Sequence, residues 1–162
     1  MSTTNQLPTP KGVIKTLTIF HYAYCIAILI FGTVSIFITK NGSINFTDTE
    51  DVFFYLVPAF AIILAFLSHF LYQQNLKKVR EKSTLYEKLA QYQTSRIIRY
   101  AMLEAPALFG IVIYIITSNQ FYLIISAVLL AYLFSLRPTK IIITEDLDLN
   151  SEQEREFDAS LR

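Results

Sequence analysis

The sequence predicts an all-α membrane protein: four transmembrane helices in two antiparallel hairpins, with a helical cytosolic connection between spans two and three. Three observations carry this. Four apolar stretches, at residues 17–38, 52–72, 97–117 and 121–136, approach or reach the roughly 20 residues that cross a hydrocarbon core. Hydrophobic residues make up 53% of the 162 and charged ones only 17%, against about 25% in a soluble domain. The charges are segregated, so the formal net charge of +1 hides a basic middle and an acidic C-terminal end.

Residues 1–16 carry Pro8, Pro10 and Gly12 without apolar periodicity and read as a flexible cytosolic tail. Leu17 to Ile38 has no charge apart from a titratable histidine. It is too long for a signal-peptide core and lacks a small-residue cleavage signal after it, so it reads as an uncleaved first span. Asn41-Gly42 then signals a turn, and Asp48, Glu50 and Asp51 form an acidic lip that suits the start of the next helix. Val52 to Tyr72 is the second span, with Pro58 as a candidate kink because proline removes an intrahelical hydrogen bond.

Residues 73–93 are too polar for hydrocarbon, yet Leu76, Val79, Leu85 and Leu89 retain helical spacing. They read as extensions of spans two and three joined near Ser83-Thr84, or as helix lying on the membrane. Ile97 to Thr117 is the third span, with Pro106 as a second candidate kink. Ser118-Asn119-Gln120 makes a tight external turn. Phe121 to Leu136 is the short fourth span, extended by the reach of Arg137 and ended by Pro138. Residues 138–162 form an acidic cytosolic tail. Within it, Ile141-Ile142-Ile143 reads as a short strand or interfacial segment, and Ser151 to Glu154 has capping-box spacing.

Loop charge sets the orientation. Lys77, Lys78, Arg80, Lys82, Lys88 and Arg96 load the middle connection, and Lys11 and Lys15 the N-terminal tail. The positive-inside rule therefore puts both termini and this connection in the cytoplasm. The acidic C-terminal segment contributes little to that rule, but its charge is complementary to the basic connection.

Glu104 is the one acidic residue inside any of the four apolar stretches. A carboxylate at that depth needs a partner or holds its proton. Arg96, Tyr100 and Glu104 are spaced by four and share a helix face, so Tyr100 is the expected donor to Glu104 and Arg96 adds its field. Depth matching adds Arg99, His21, His69 and Arg137, which places a polar group from every span toward the cytoplasmic face. Three readings stay open for Glu104: a buried hydrogen bond that fixes packing, a carboxylate that couples to a proton, ion or substrate, or a membrane-edge residue with no role.

No metal site is expected, because His21, His69 and Glu104 come from three helices without ligand spacing. No cofactor or catalytic group is expected either: the sequence lacks a phosphate-binding glycine loop, a zinc-protease motif and a nucleophile elbow. The single cysteine, Cys25, excludes an intrachain disulfide. Four glycines without GxxxG spacing argue against a tight helix crossing. The expected partners are the lipid bilayer, anionic lipid along residues 73–97, and a second copy or another membrane protein. Nucleic acid is not expected, because no recognition module accompanies the basic residues.

The run from Arg99-Tyr100-Ala101-Met102-Leu103-Glu104 through Ala105-Pro106-Ala107-Leu108-Phe109-Gly110, together with Leu136-Arg137-Pro138-Thr139, resembles small four-span inner-membrane proteins of bacteria of the Bacteroidetes-like group. That resemblance covers all four spans and implies a multi-pass protein of the bacterial inner membrane, with no activity attached. Locally, Glu104-Ala105-Pro106 through Gly110 is similar to the carboxylate helix of rotary ATP synthase ring subunits, where such a carboxylate binds the transported ion. The chain departs from that family in having only Gly32 in its first span and in carrying Glu104 nearer the membrane edge. The functional expectation is a noncatalytic structural, interaction or accessory component; the alternative is a small proton- or ion-coupled transporter using Glu104.

Overall fold

A computed structural model describes residues 8–39, 42–46 and 50–161. Residues 1–7, Asn41 of the expected turn and Asp48 of the acidic lip lie outside them. The protein is all-helical, with 83% of it in helix and no strand among the described residues. The helices are α1 (Pro10–Ile38), α2 (Val52–Arg80), α3 (Leu85–Thr117), α4 (Gln120–Ser135), α5 (Lys140–Leu147) and α6 (Ser151–Ala159).

Local chemistry explains each start. Thr9, Asp51, Thr84, Asn119, Thr139 and Asn150 stand before the six helices, and each side chain accepts a hydrogen bond from a first-turn backbone N–H. Such caps satisfy donors that have no partner inside the helix. The middle connection is helical as expected: α2 continues to Arg80, and α3 begins at Leu85 behind its Thr84 cap. Both α2 and α3 run on through Pro58 and Pro106.

Three helices, α1 to α3, are long and apolar enough to cross a membrane. The shorter α4 meets α5 at 78°, and the two make a fourth candidate if counted as one broken span. Much of the apolar surface of these helices faces outward, as with Phe37, Phe66 and Ile62, which are 79%, 71% and 69% exposed. A soluble monomer rarely shows so much contiguous apolar surface, whereas hydrocarbon covers it at no cost. The protein is a helical bundle of the multi-pass membrane type.

Helix α3 packs against α1, α2 and α4. At one end Val57 of α2 meets Tyr114 of α3 and Tyr122 of α4, and at mid-height Ile28, Ala61, Leu103 and Leu129 come together. At the other end the core passes into helix–helix contacts made by Val13, Tyr72, Leu89, Ile143 and Phe157. Two expectations change here. The segment before Leu17 is not all tail: α1 begins at Pro10, and Val13 is fully buried. The acidic tail is not a tail: Ile143, Leu147 and Phe157 are fully buried, because α5 and α6 turn their few apolar side chains onto the ends of α2 and α3. Ile141 to Ile143 is helical rather than extended, and the box that opens α6 uses Asn150 and Gln153, one residue earlier than Ser151 and Glu154.

A tight crossing also exists without a GxxxG pair. A Cβ on Gly110 of α3 would lie 2.5 Å from Ser126 Oγ and 3.1 Å from the Tyr122 carbonyl of α4. Ser126 Oγ donates to the Ala107 carbonyl at 2.8 Å, so one glycine and one serine from different helices set this approach.

Candidate polar site at one end of the bundle

Arg96 is the centre of the site. It is 2% exposed and lies in the first turns of α3. Its Nε donates to Tyr92 Oη at 2.8 Å, one helical turn back, and its Nη2 donates to Asp146 Oδ2 of α5 at 2.9 Å. The same carboxylate oxygen accepts from Tyr72 Oη at 2.6 Å and from Tyr92 Oη at 3.0 Å. The guanidinium carbon also lies 5.0 Å from the Tyr72 ring centre and 5.3 Å from that of Tyr92. A buried ion pair holds only when its remaining hydrogen-bonding capacity is met, and two tyrosines meet it here.

Lys88, two turns before Arg96, is buried as well. Its ammonium donates to the carbonyls of Leu147 and Asp148 at 3.2 and 3.3 Å and to Gln153 Oε1 at 3.2 Å. It thus places two of its three donors at the C-terminal end of α5, where carbonyls lack helical partners and the dipole favours a cation, and the third on a side chain of α6. Arg80 Nε adds a bond to the Asp146 carbonyl at 3.0 Å. The basic connection therefore binds the acidic C-terminal segment of its own chain.

The face expected from Arg96, Tyr100 and Glu104 does not close on Glu104. Tyr100 Oη donates instead to the Leu136 carbonyl at 3.2 Å, and Arg96 Nη1 reaches the same oxygen at 3.4 Å. That carbonyl stands at the end of α4, where it has no helical donor, so it offers a better acceptor than a carboxylate one turn along the same helix. Glu104 is half-buried and makes no hydrogen bond or ion pair among the described residues. Arg137 is exposed.

Arg99 and the histidines form a second group. Arg99 Nη2 donates to Tyr132 Oη of α4 at 3.1 Å and lies 3.5 Å from His69 Nδ1 of α2, with its guanidinium carbon 4.5 Å from the Tyr72 ring centre. No carboxylate pairs with it among the described residues, and its buried Nε has no protein partner. His21 is fully buried, edge-on to Tyr100 at 5.2 Å between centroids, and neither ring nitrogen has a protein partner among the described residues. His21, His69 and Glu104 do not converge as a metal-binding group among the described residues.

Sequence reading missed Asp146, Tyr72, Tyr92 and Tyr132. The recurrence of Lys88, Tyr92 and Arg96 every four residues was a usable sign that one face of α3 is buried and polar. Their partners on α5 had no local sign.

The opposite end is stitched by polar backbone contacts. Ser43 N–H donates to the Ser118 carbonyl at 3.0 Å, and Gln120 N–H donates to the Ser43 carbonyl at 2.8 Å. Asn119 Nδ2 donates to the Asn45 carbonyl at 2.9 Å while its Oδ1 accepts from Asn45 N–H at 3.0 Å. No protein family, curated protein or solved structure matches this chain.

Proposed function

We propose that the chain is a noncatalytic structural or interaction component of a bacterial inner membrane, crossing four times in two antiparallel hairpins with both termini cytoplasmic. One observation carries the reading. Arg96 and Lys88, both buried on α3, tie α5 and α6 to the bundle instead of lining a cavity. A site that binds and releases a substrate keeps polar groups open to it, whereas Arg96, Lys88 and Asp146 are occupied by one another and by neighbouring carbonyls and tyrosines. What remains outward on α6 is a charged surface that includes Glu152 and Glu154, suited to a basic protein partner.

The second reading is a small proton- or ion-coupled transporter using Glu104. It is favoured by a carboxylate inside an apolar helix that makes no hydrogen bond among the described residues, a costly arrangement unless function retains it. Reconstituting wild-type protein and Glu104→Gln into liposomes and measuring pH-driven flux separates the two. No flux from folded wild type supports the structural reading. Flux that Glu104→Gln abolishes, with folding retained, establishes the transporter.

A further inference from the structure

An apolar groove of about 370 Å³ runs between α2 and α4, with Pro58, Ala61 and Ile62 on one wall and Ile125, Val128 and Tyr132 on the other. On α4 it extends from Ile124 to Tyr132, roughly 12 Å at 1.5 Å per residue. Tyr132 marks its end, and there its hydroxyl accepts from Arg99. Arg99, buried and not itself part of the groove wall, stands behind Tyr132 at this end, and its guanidinium has no carboxylate partner among the described residues. Beside it stands His69, exposed and 3.5 Å away through Nδ1. Arg99 can only donate in that contact, which leaves Nε2 as the ring nitrogen that can donate to an incoming acceptor.

We propose that this groove binds one anionic phospholipid, with its phosphate at Arg99 and His69 and one acyl chain along Pro58 to Tyr132. The charge complementarity decides the occupant. A neutral lipid fills the apolar slot equally well but leaves the Arg99 charge without a counter-ion. A phosphate supplies the negative charge and acceptor oxygens that match a guanidinium. The exposed lysines of the connection, such as Lys77, Lys78 and Lys82, attract any anionic surface without such a slot. The proposal requires the bundle to sit in a bilayer but depends on neither its orientation nor a noncatalytic role.

Native mass spectrometry tests it, with protein released from micelles that contain phosphatidylglycerol and phosphatidylcholine of matched chains. Wild type should retain one phosphatidylglycerol, preferred over phosphatidylcholine by roughly threefold to tenfold. Arg99→Gln should remove that preference, and Arg99→Lys should keep part of it. Val128→Trp, a change at an exposed groove wall, should lower retention of both lipids. Neutralising Lys77, Lys78 and Lys82 together should leave the preference intact. Equal retention of the two lipids by wild type overturns the proposal. So does a preference that survives Arg99→Gln in folded protein, or one that disappears with the three lysines. Where Arg99→Gln does not fold, unchanged retention in Val128→Trp overturns it.

Discussion

Arg96 of α3 and Asp146 of α5 stand 2.9 Å apart, with 3% and 20% of their side chains exposed, and this pair fastens the C-terminal helices to the bundle. The two members are not equivalent. Asp146→Ala strands a buried guanidinium and also removes the acceptor of Tyr72 and Tyr92, a loss of about 3 kcal/mol. Arg96→Met keeps the volume and leaves a partly exposed carboxylate with two tyrosine donors, so it should cost less. The Arg96→Met/Asp146→Ala double variant should be more stable than the sum of the single losses implies. Proteolysis of residues 147–150 in detergent reads the order: Asp146→Ala cut fastest, wild type slowest, the double variant between them. Equal protection in all four proteins would show that the pair does not hold α5.

The crossing of α3 and α4 yields a contrast between two glycines. Gly110→Ala places a methyl against Ser126 Oγ and, more rigidly, against the Tyr122 backbone, and should destabilise by about 1–3 kcal/mol. Adding Ser126→Ala relieves only the side-chain clash and should recover part of that loss. Gly32→Ala meets only Ile111 and Leu123 methyls at 3.7 and 4.0 Å, ordinary contact, and should be neutral or mildly stabilising. Thermal unfolding in detergent decides; equal losses at the two glycines would refute the close approach.

The helices were legible because their signals are local. Long apolar stretches needed only length, and Leu76, Val79, Leu85 and Leu89 kept helical spacing through the polar connection. The junction read near Ser83-Thr84 is where the structure has it, with Thr84 capping α3. The polar site was half legible. Arg96, Arg99, Tyr100, His21 and His69 do gather at one end, but spacing on α3 pointed Tyr100 and Arg96 at Glu104. Their actual acceptors come from Leu136 and Asp146, and Asp146 lies 50 residues from Arg96. Ile141 to Ile143 was ambiguous for a physical reason: three apolar residues fit a strand or a helix equally, and tertiary burial of Ile143 decides. Gly110 carried no motif because its partner, Ser126, belongs to another helix.

Asp51 does two jobs at the end opposite Arg96. Its Oδ1 caps α2 by accepting from Phe53 N–H at 2.9 Å, and its Oδ2 accepts from Tyr122 Oη at 2.5 Å. Tyr122→Phe removes the second alone and should cost about 1.5 kcal/mol. Asp51→Ala removes both, and the cap adds about 1 kcal/mol. Hydrogen exchange should show faster exchange at the start of α2 in Asp51→Ala than in Tyr122→Phe. The same rate in both would mean that the cap contributes nothing.

Gln153 Nε2 of α6 donates to the Ser83 carbonyl at 3.2 Å, which puts α6 and the α2–α3 connection on one side of any bilayer the bundle crosses. Ser43 is bound by its backbone to Ser118 and Gln120 at the far end, with its side chain exposed. In a Cys25→Ser background, Ser83→Cys and Arg155→Cys should therefore react together, and Ser43→Cys separately. All three side chains are exposed, so accessibility reports sidedness rather than burial. Asn119 is a poor probe, because its side chain is committed to Asn45. The orientation proposed above, which rests on the positive-inside rule and the lysines exposed around residue 83, makes that end cytoplasmic. A membrane-impermeant thiol reagent applied to intact cells should label Ser43→Cys, and should label the other two only after permeabilisation. Labelling of Ser43→Cys only after permeabilisation would invert the orientation. Labelling of Ser83→Cys and Arg155→Cys from opposite sides would be incompatible with the Gln153 contact and with an even number of crossings between them.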